Sequence, residues 1–160
     1  MKKFDSRSYL ANLNIDVMRF GLETIAELLR QLGEPQNSFS SILIAGTNGK
    51  GSTAAMTASI LRSAGYKTGL YTSPHLVDVR ERIAVNGKMI PRREFDDLLA
   101  CLAKKITLPA TYFEIMTAAA FLYFQRRQID IAVLEVGLGG RLDATNICRP
   151  LVSVITNIAR

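Results

Sequence analysis

The chain has 160 residues, 48% of them hydrophobic and 21% charged, a balance that excludes a disordered or fibrous protein and fits one globular domain with a sizeable core. Its 20 Lys and Arg against 14 Asp and Glu give a formal net charge of +6, which favours acidic partners. The basic residues fall in isolated pairs (Lys2-Lys3, Arg92-Arg93, Lys104-Lys105, Arg126-Arg127) with no basic run interleaved with aromatics, so no nucleic-acid partner is expected; phosphates and an acidic small substrate explain the charge as well.

Lys2 and Lys3 are not followed by an apolar stretch, so the N-terminus does not read as a signal peptide. No segment approaches the roughly 20 apolar residues needed to span a bilayer. Cys101 and Cys148 lack metal-ligand spacing and read as free thiols. A cytoplasmic chain with no membrane partner is expected.

Leu22, Ile25, Leu28, Leu29 and Leu32 recur at helical spacing, and Gly33 stops the helix. Residues 41–45 form an apolar strand. The run Gly46-Thr47-Asn48-Gly49-Lys50-Gly51-Ser52-Thr53 follows, and residues 54–64 read as a helix closed by Gly65. A second strand covers residues 68–71, so 41–71 form a βαβ unit of a parallel sheet. Asn86-Gly87 between short apolar runs predicts a hairpin. Residues 94–105 and 113–127 read as helices, and 129–136 and 151–156 as buried strands. The alternation predicts an α/β fold: a doubly wound, mostly parallel sheet with flanking helices.

Two runs carry the chemistry. A strand that enters a glycine-rich turn with a lysine, then a helix, is the arrangement that holds a nucleotide triphosphate. Glycines let backbone N–H groups turn toward phosphate oxygens, and the helix N-terminus adds a positive dipole end. Gly46, Thr47, Asn48, Gly49, Lys50, Gly51, Ser52 and Thr53 are the phosphate candidates; Lys50 supplies a point charge, and Ser52 or Thr53 a hydroxyl near magnesium. The spacing departs from G-x-x-x-x-G-K-[ST], because only two residues separate Gly46 from Gly49 and Gly51 follows the lysine.

In the second run, an apolar strand delivers Glu135 at its C-terminal end, where ligands bind open α/β sheets, ahead of Gly137-Leu138-Gly139-Gly140-Arg141-Leu142-Asp143. A carboxylate there can hold magnesium beside the phosphates. The plainer alternative is that Glu135 pairs with Arg141. Thr111 and Glu114 have capping-box spacing, and capping alone would explain both. His75, the one histidine, reads as a turn or packing residue rather than a catalyst.

Gly-Thr-Asn-Gly-Lys-Gly-Ser at 46–52 resembles the phosphate loop of the Mur-ligase superfamily, and within it the folylpolyglutamate synthase / dihydrofolate synthase family. Ser73-Pro74-His75-Leu76 with Glu81-Arg82-Ile83, Thr111-Tyr112-Phe113-Glu114, and the run from Glu135 to Asn146 follow in that family's order. Phe20-Gly21-Leu22-Glu23 resembles its N-terminal segment less specifically.

The resemblance implies a P-loop NTPase-like central domain, incomplete at the C-terminus. Residues 1–160 would be the N-terminal portion of the ATPase domain. The Asp-His pair, the carbamylated lysine, the rest of that domain and a glutamate-binding domain would lie beyond Arg160. It implies a ligase that joins L-glutamate to dihydropteroate, folates or both, using ATP and Mg2+ through an acyl phosphate. Lys50 and Glu135 would be the catalytic pair. Ser73, Glu135 and Ser52 would face the metal, and Arg82, Thr111, Phe113 and Asp143 the pterin or folate. The family enzyme is expected to be a monomer and the fragment inactive and prone to self-association. The alternatives are another Mur-type ligase, or a nucleotide-binding module without ligase activity.

Overall fold

The computed structural model describes residues 4–13 and 21–159. After α1 (Ser6–Ala11) and α2 (Glu23–Gln31) come β1 (Ser40–Ala45), α3 (Lys50–Ser63) and β2 (Thr68–Tyr71). The hairpin strands β3 (Ile83–Val85) and β4 (Lys88–Met89) follow, then α4 (Arg92–Lys105), α5 (Tyr112–Arg127), β5 (Ile131–Glu135) and β6 (Val152–Ile155). The strands form one six-stranded sheet in the order β4-β3-β2-β5-β1-β6. β2, β5, β1 and β6 run parallel, and the β3–β4 hairpin continues the sheet antiparallel from β2.

The predicted βαβ unit is present with one difference: β5 lies between β1 and β2. All five β5 side chains, from Ile131 to Glu135, are buried. A strand of that composition needs cover on both faces, which the sheet centre supplies. The hairpin is as expected, with Asn86 at φ 50° and Gly87 at φ 74° in the left-handed region that a two-residue turn of this kind demands.

The two faces of the sheet are unequally covered. α5 is buried from Glu114 to Phe124, because it is packed between the sheet and α2 and α4. Phe95, Leu98, Phe121, Phe124, Leu28 and Leu134 belong to this larger core. Among the described residues, the other face carries α3 alone. Ile44, Ala54 and Val133 are buried there, with Ile42, Leu61, Leu70 and Val154 against them.

Three helix starts differ from the sequence expectation. α4 begins at Arg92, directly after Pro91 at its N-cap, and α5 at Tyr112 behind the Thr111–Glu114 capping box. α3 begins at Lys50, four residues before the expected start, with Gly49 as a left-handed N-cap at φ 78° and no side-chain cap. The cap residue is not Ser, Asp or Asn, so local sequence hid the start. The consequence is functional: Lys50, Gly51, Ser52 and Thr53 all stand in the first helical turn. No helix among the described residues is long and apolar enough to cross a membrane.

Candidate functional site

β1 and β5 are neighbours and parallel, so Ala45 and Glu135 finish side by side at the C-terminal edge of the sheet. That edge receives the turn 46–49 and the start of α3. The first backbone N–H groups of an α-helix have no partner within it. Here they also lack a side-chain cap, so the α3 N-terminus presents unused donors and a positive dipole end to an anion.

Glu135 lies across from that turn. A Cβ on Gly51 would sit 3.4 Å from Glu135 Oε1, which shows how closely the carboxylate approaches the helix start. The only hydrogen bond that the Glu135 carboxylate receives among the described residues comes from the Ser73 backbone N–H, 2.9 Å from Oε2. Arg141 does not pair with it. Burial pushes the Glu135 carboxyl above its ordinary value, while the Ser73 N–H and the charges of Lys50 and Arg82 pull it down. The site therefore holds a desolvated carboxylate with two cations near it.

Lys50 turns back onto its own loop, with Nζ donating to Gly46 O at 2.8 Å and to Thr47 O at 3.2 Å. The loop is clamped from the far end of the chain. The Thr47 N–H donates to Asn157 O at 2.8 Å, and the Asn48 N–H to Asn157 Oδ1 at 2.9 Å. Thr156 Oγ1 donates to Asn48 O at 2.7 Å. Gly46 has φ 134°, and a Cβ there would collide with the Thr156 hydroxyl. The phosphate candidates thus divide: Thr47 and Asn48 have engaged N–H groups, whereas Lys50 to Ser52 lie at the open helix end. Thr156 and Asn157 were not legible as site residues, because their partners are more than 100 positions away.

A cleft of about 340 Å³ opens beside the loop, lined by Gly46, Thr47, Lys50, Gly137, Leu138 and Ile155, among others. Gly137 packs between two pterin-side candidates. A Cβ there would meet Phe113 Cζ at 2.6 Å and Asp143 Oδ2 at 3.2 Å. Phe113 is half-buried and stands 6.1 Å, centroid to centroid, from Tyr71. Asp143 organises its own loop: Oδ2 accepts from the Leu138 N–H at 2.9 Å, and Oδ1 accepts from the Thr145 N–H at 2.9 Å and hydroxyl at 2.5 Å.

Thr111 is not brought to this cleft. Its hydroxyl accepts from the Glu114 N–H at 3.2 Å, and its N–H donates to Glu114 Oε2 at 2.7 Å. It borders a separate cleft of about 390 Å³ with Tyr9, Leu13, Ile106 and Ile115. Arg82 is buried, with its guanidinium carbon 5.4 Å from the Tyr112 ring centroid. Gly21 is described, whereas Phe20 lies outside the described residues.

Among the described residues, no group of three or more His, Cys, Asp or Glu could hold a metal. Magnesium is commonly held by one or two carboxylates together with phosphate oxygens and water, and a single Glu135 beside a phosphate-binding turn fits that donor set. Cys101 and Cys148 are free thiols. Cys148 is pushed up to about 12 by burial, which makes it a poor nucleophile and ligand.

Residues 44–160 match the Mur ligase middle domain, and the chain belongs to that family. It is similar to a dihydrofolate synthase/folylpolyglutamate synthase of Escherichia coli, at 43% identity over 153 residues that cover 95% of this chain and 36% of the relative. The structure of E. coli FolC in complex with DHPP and ADP superposes with a TM-score of 0.90 at 42% identity, covering 96% of this chain and 37% of that one. A bifunctional folylpolyglutamate synthase/dihydrofolate synthase from Yersinia pestis, complexed with AMPPNP and a Mn ion, gives a TM-score of 0.88 at 37% identity, covering 96% and 38%. The chain spans less than two-fifths of the length of each.

Proposed function

We propose that this chain is the N-terminal portion of the nucleotide-binding domain of an ATP-dependent ligase that joins L-glutamate to dihydropteroate, folates or both. The observation that carries the reading is the uncapped start of α3, with Lys50 in its first turn, set against the buried carboxylate of Glu135. The similarity to relatives named for both synthase activities supports the substrate class.

When bound, Mg·ATP supplies the phosphoryl group that activates a carboxylate for attack by the amine of glutamate. The chain's residues position and neutralise. The N–H groups of Gly49, Lys50, Gly51 and Ser52, with the Lys50 ammonium, hold phosphate oxygens. Glu135 would hold the metal, and the hydroxyls of Ser52 and Ser73 would be its further oxygen donors. Phe113 offers a ring face to a bicyclic pterin, Asp143 holds the loop against it, and Arg82 meets the anionic end of the substrate. Thr111 acts at one remove, by fixing the start of α5.

β6 is an edge strand, and Leu151, Val152 and Ile155 are exposed along it. Such an edge favours self-association of the 160-residue chain. Cytoplasmic location accords with the free thiols of Cys101 and Cys148.

The test is dihydropteroate binding and coupled ADP release. The chain binds dihydropteroate, and Phe113→Ala weakens that binding by roughly tenfold, the loss of one stacking contact. With ATP, glutamate and dihydropteroate all present, the 160 residues alone release no ADP, because phosphoryl transfer tolerates little misplacement. A folded chain that binds Mg·ATP but no pteroate supports the second reading, a nucleotide-binding module.

A further inference from the structure

Two arginines of one helical turn are treated in opposite ways. The turn Val79–Arg82 is capped by Asp78. Asp78 also takes up the charge of Arg80: Oδ1 accepts from Arg80 Nε at 3.1 Å and Oδ2 from Nη2 at 2.8 Å. Arg82 is more deeply buried, and no carboxylate meets it. Its Nε donates to His75 Nδ1 at 3.0 Å, and one face of its guanidinium covers Tyr112. Among the described residues its two Nη groups have no hydrogen-bond partner. Its charge helps to hold down the Glu135 carboxyl.

The loop that carries His75 is built to hold it there. The Glu81 carboxylate accepts three successive backbone N–H groups, from Leu76 at 2.9 Å, Val77 at 3.1 Å and Asp78 at 2.8 Å. The Thr72 N–H donates to Arg82 O at 3.0 Å. His75 is thereby returned onto Arg82, seven residues along the chain.

We propose that His75 is the positioning residue for Arg82. Its Nδ1 lone pair fixes the guanidinium through Nε without cancelling the charge, and leaves the Nη end to make a two-point contact with a carboxylate. A carboxylate at position 75 would orient the arginine equally well but neutralise it. A neutral acceptor orients it and keeps the field for the ligand. The tautomer follows: Nδ1 accepts, so Nε2 carries the proton. The identity of the ligand as the pteroate carboxylate rests on the function proposed above; the His75–Arg82 pair does not.

The chain has one histidine, so its imidazole gives one set of nitrogen-15 resonances. At about pH 8 the spectrum shows the Nε2–H form, and Arg82→Lys shifts the Nδ1 signal. The Nδ1–H form, or a spectrum indifferent to Arg82→Lys, overturns the pair. Dihydropteroate titration then separates orientation from charge. His75→Asn, whose Oδ1 can replace Nδ1, binds within about twofold of the parent, and the near-isosteric His75→Asp binds about tenfold more weakly, the scale of one charge-assisted hydrogen bond. Equal affinity of the Asn and Asp variants, both folded by amide spectra, overturns the charge-sparing role. A parent chain with no affinity for dihydropteroate overturns the substrate reading, while the imidazole spectrum still decides the pair.

Discussion

The Glu135 carboxylate accepts the backbone N–H of Ser73 at 2.9 Å, and this bond joins the ends of β5 and β2, which are neighbours in the sheet. It brings the loop that carries Ser73, His75 and Arg82 to the turn that carries Lys50. Everything proposed for the site depends on that convergence at one sheet edge.

The first prediction concerns the cost of burying Glu135. Its folded value is raised from an ordinary 4.5, chiefly by burial. A raised value means that the fold favours the protonated form. The group's contribution to stability is full below pH 4.5 and is lost as pH rises through the folded value. Glu135→Gln removes this dependence. Melting temperatures followed across that range should show the variant gaining on the parent as pH rises, while metal-dependent nucleotide binding is lost. A gap that does not widen with pH contradicts the burial account.

Asp78 behaves in the opposite sense. The Arg80 guanidinium holds its carboxyl at about 2, below the ordinary 3.8, with Arg92 assisting. Its contribution is present above pH 3.8 and is lost as pH falls through about 2. Asp78→Asn should therefore be less stable than the parent at neutral pH, and the difference should close in strong acid. Acid titration of both proteins by circular dichroism checks the sign.

Gly137→Ala tests the packing beneath the pterin-side cleft. The new methyl would meet Phe113 Cζ at 2.6 Å and Asp143 Oδ2 at 3.2 Å. Overpacking of that kind costs about 1–3 kcal/mol, and the ring must move. Denaturant unfolding should show the loss, and dihydropteroate binding should weaken with it.

Asn157→Ala tests the clamp on the phosphate loop. The variant removes the acceptor of the Asn48 N–H and keeps the main-chain bond to Thr47. One neutral hydrogen bond is worth about 1 kcal/mol, so Mg·ATP affinity should fall roughly fivefold with little change in fold. Unaltered affinity would mean that the loop holds its shape without Asn157.

What the sequence disclosed and what it concealed divide along physical lines. The turn 46–53, Glu135 at a strand end, the Asn86-Gly87 hairpin and the Thr111–Glu114 box are local patterns, readable from spacing alone. The start of α3 was hidden because a left-handed glycine caps it where a hydroxyl or carboxylate would have signalled. The place of β5 between β1 and β2 comes from non-local pairing, which leaves no mark within either strand. The Asn157 clamp joins the phosphate-loop main chain to a residue 109 positions along, and the His75–Arg82 bond joins two side chains across a turn, so residue identity was visible but partnership was not. Thr111 was legible as a cap, and the cap is where the structure puts it.

The most direct measurement is calorimetric titration of Mg·ATP into the parent chain and into Lys50→Ala. A phosphate site at the start of α3 predicts saturable binding by the parent, weakened at least tenfold when the ammonium is removed, the scale of a charge-assisted hydrogen bond. Equal affinity in a folded Lys50→Ala chain, or no binding by a folded parent, would contradict it.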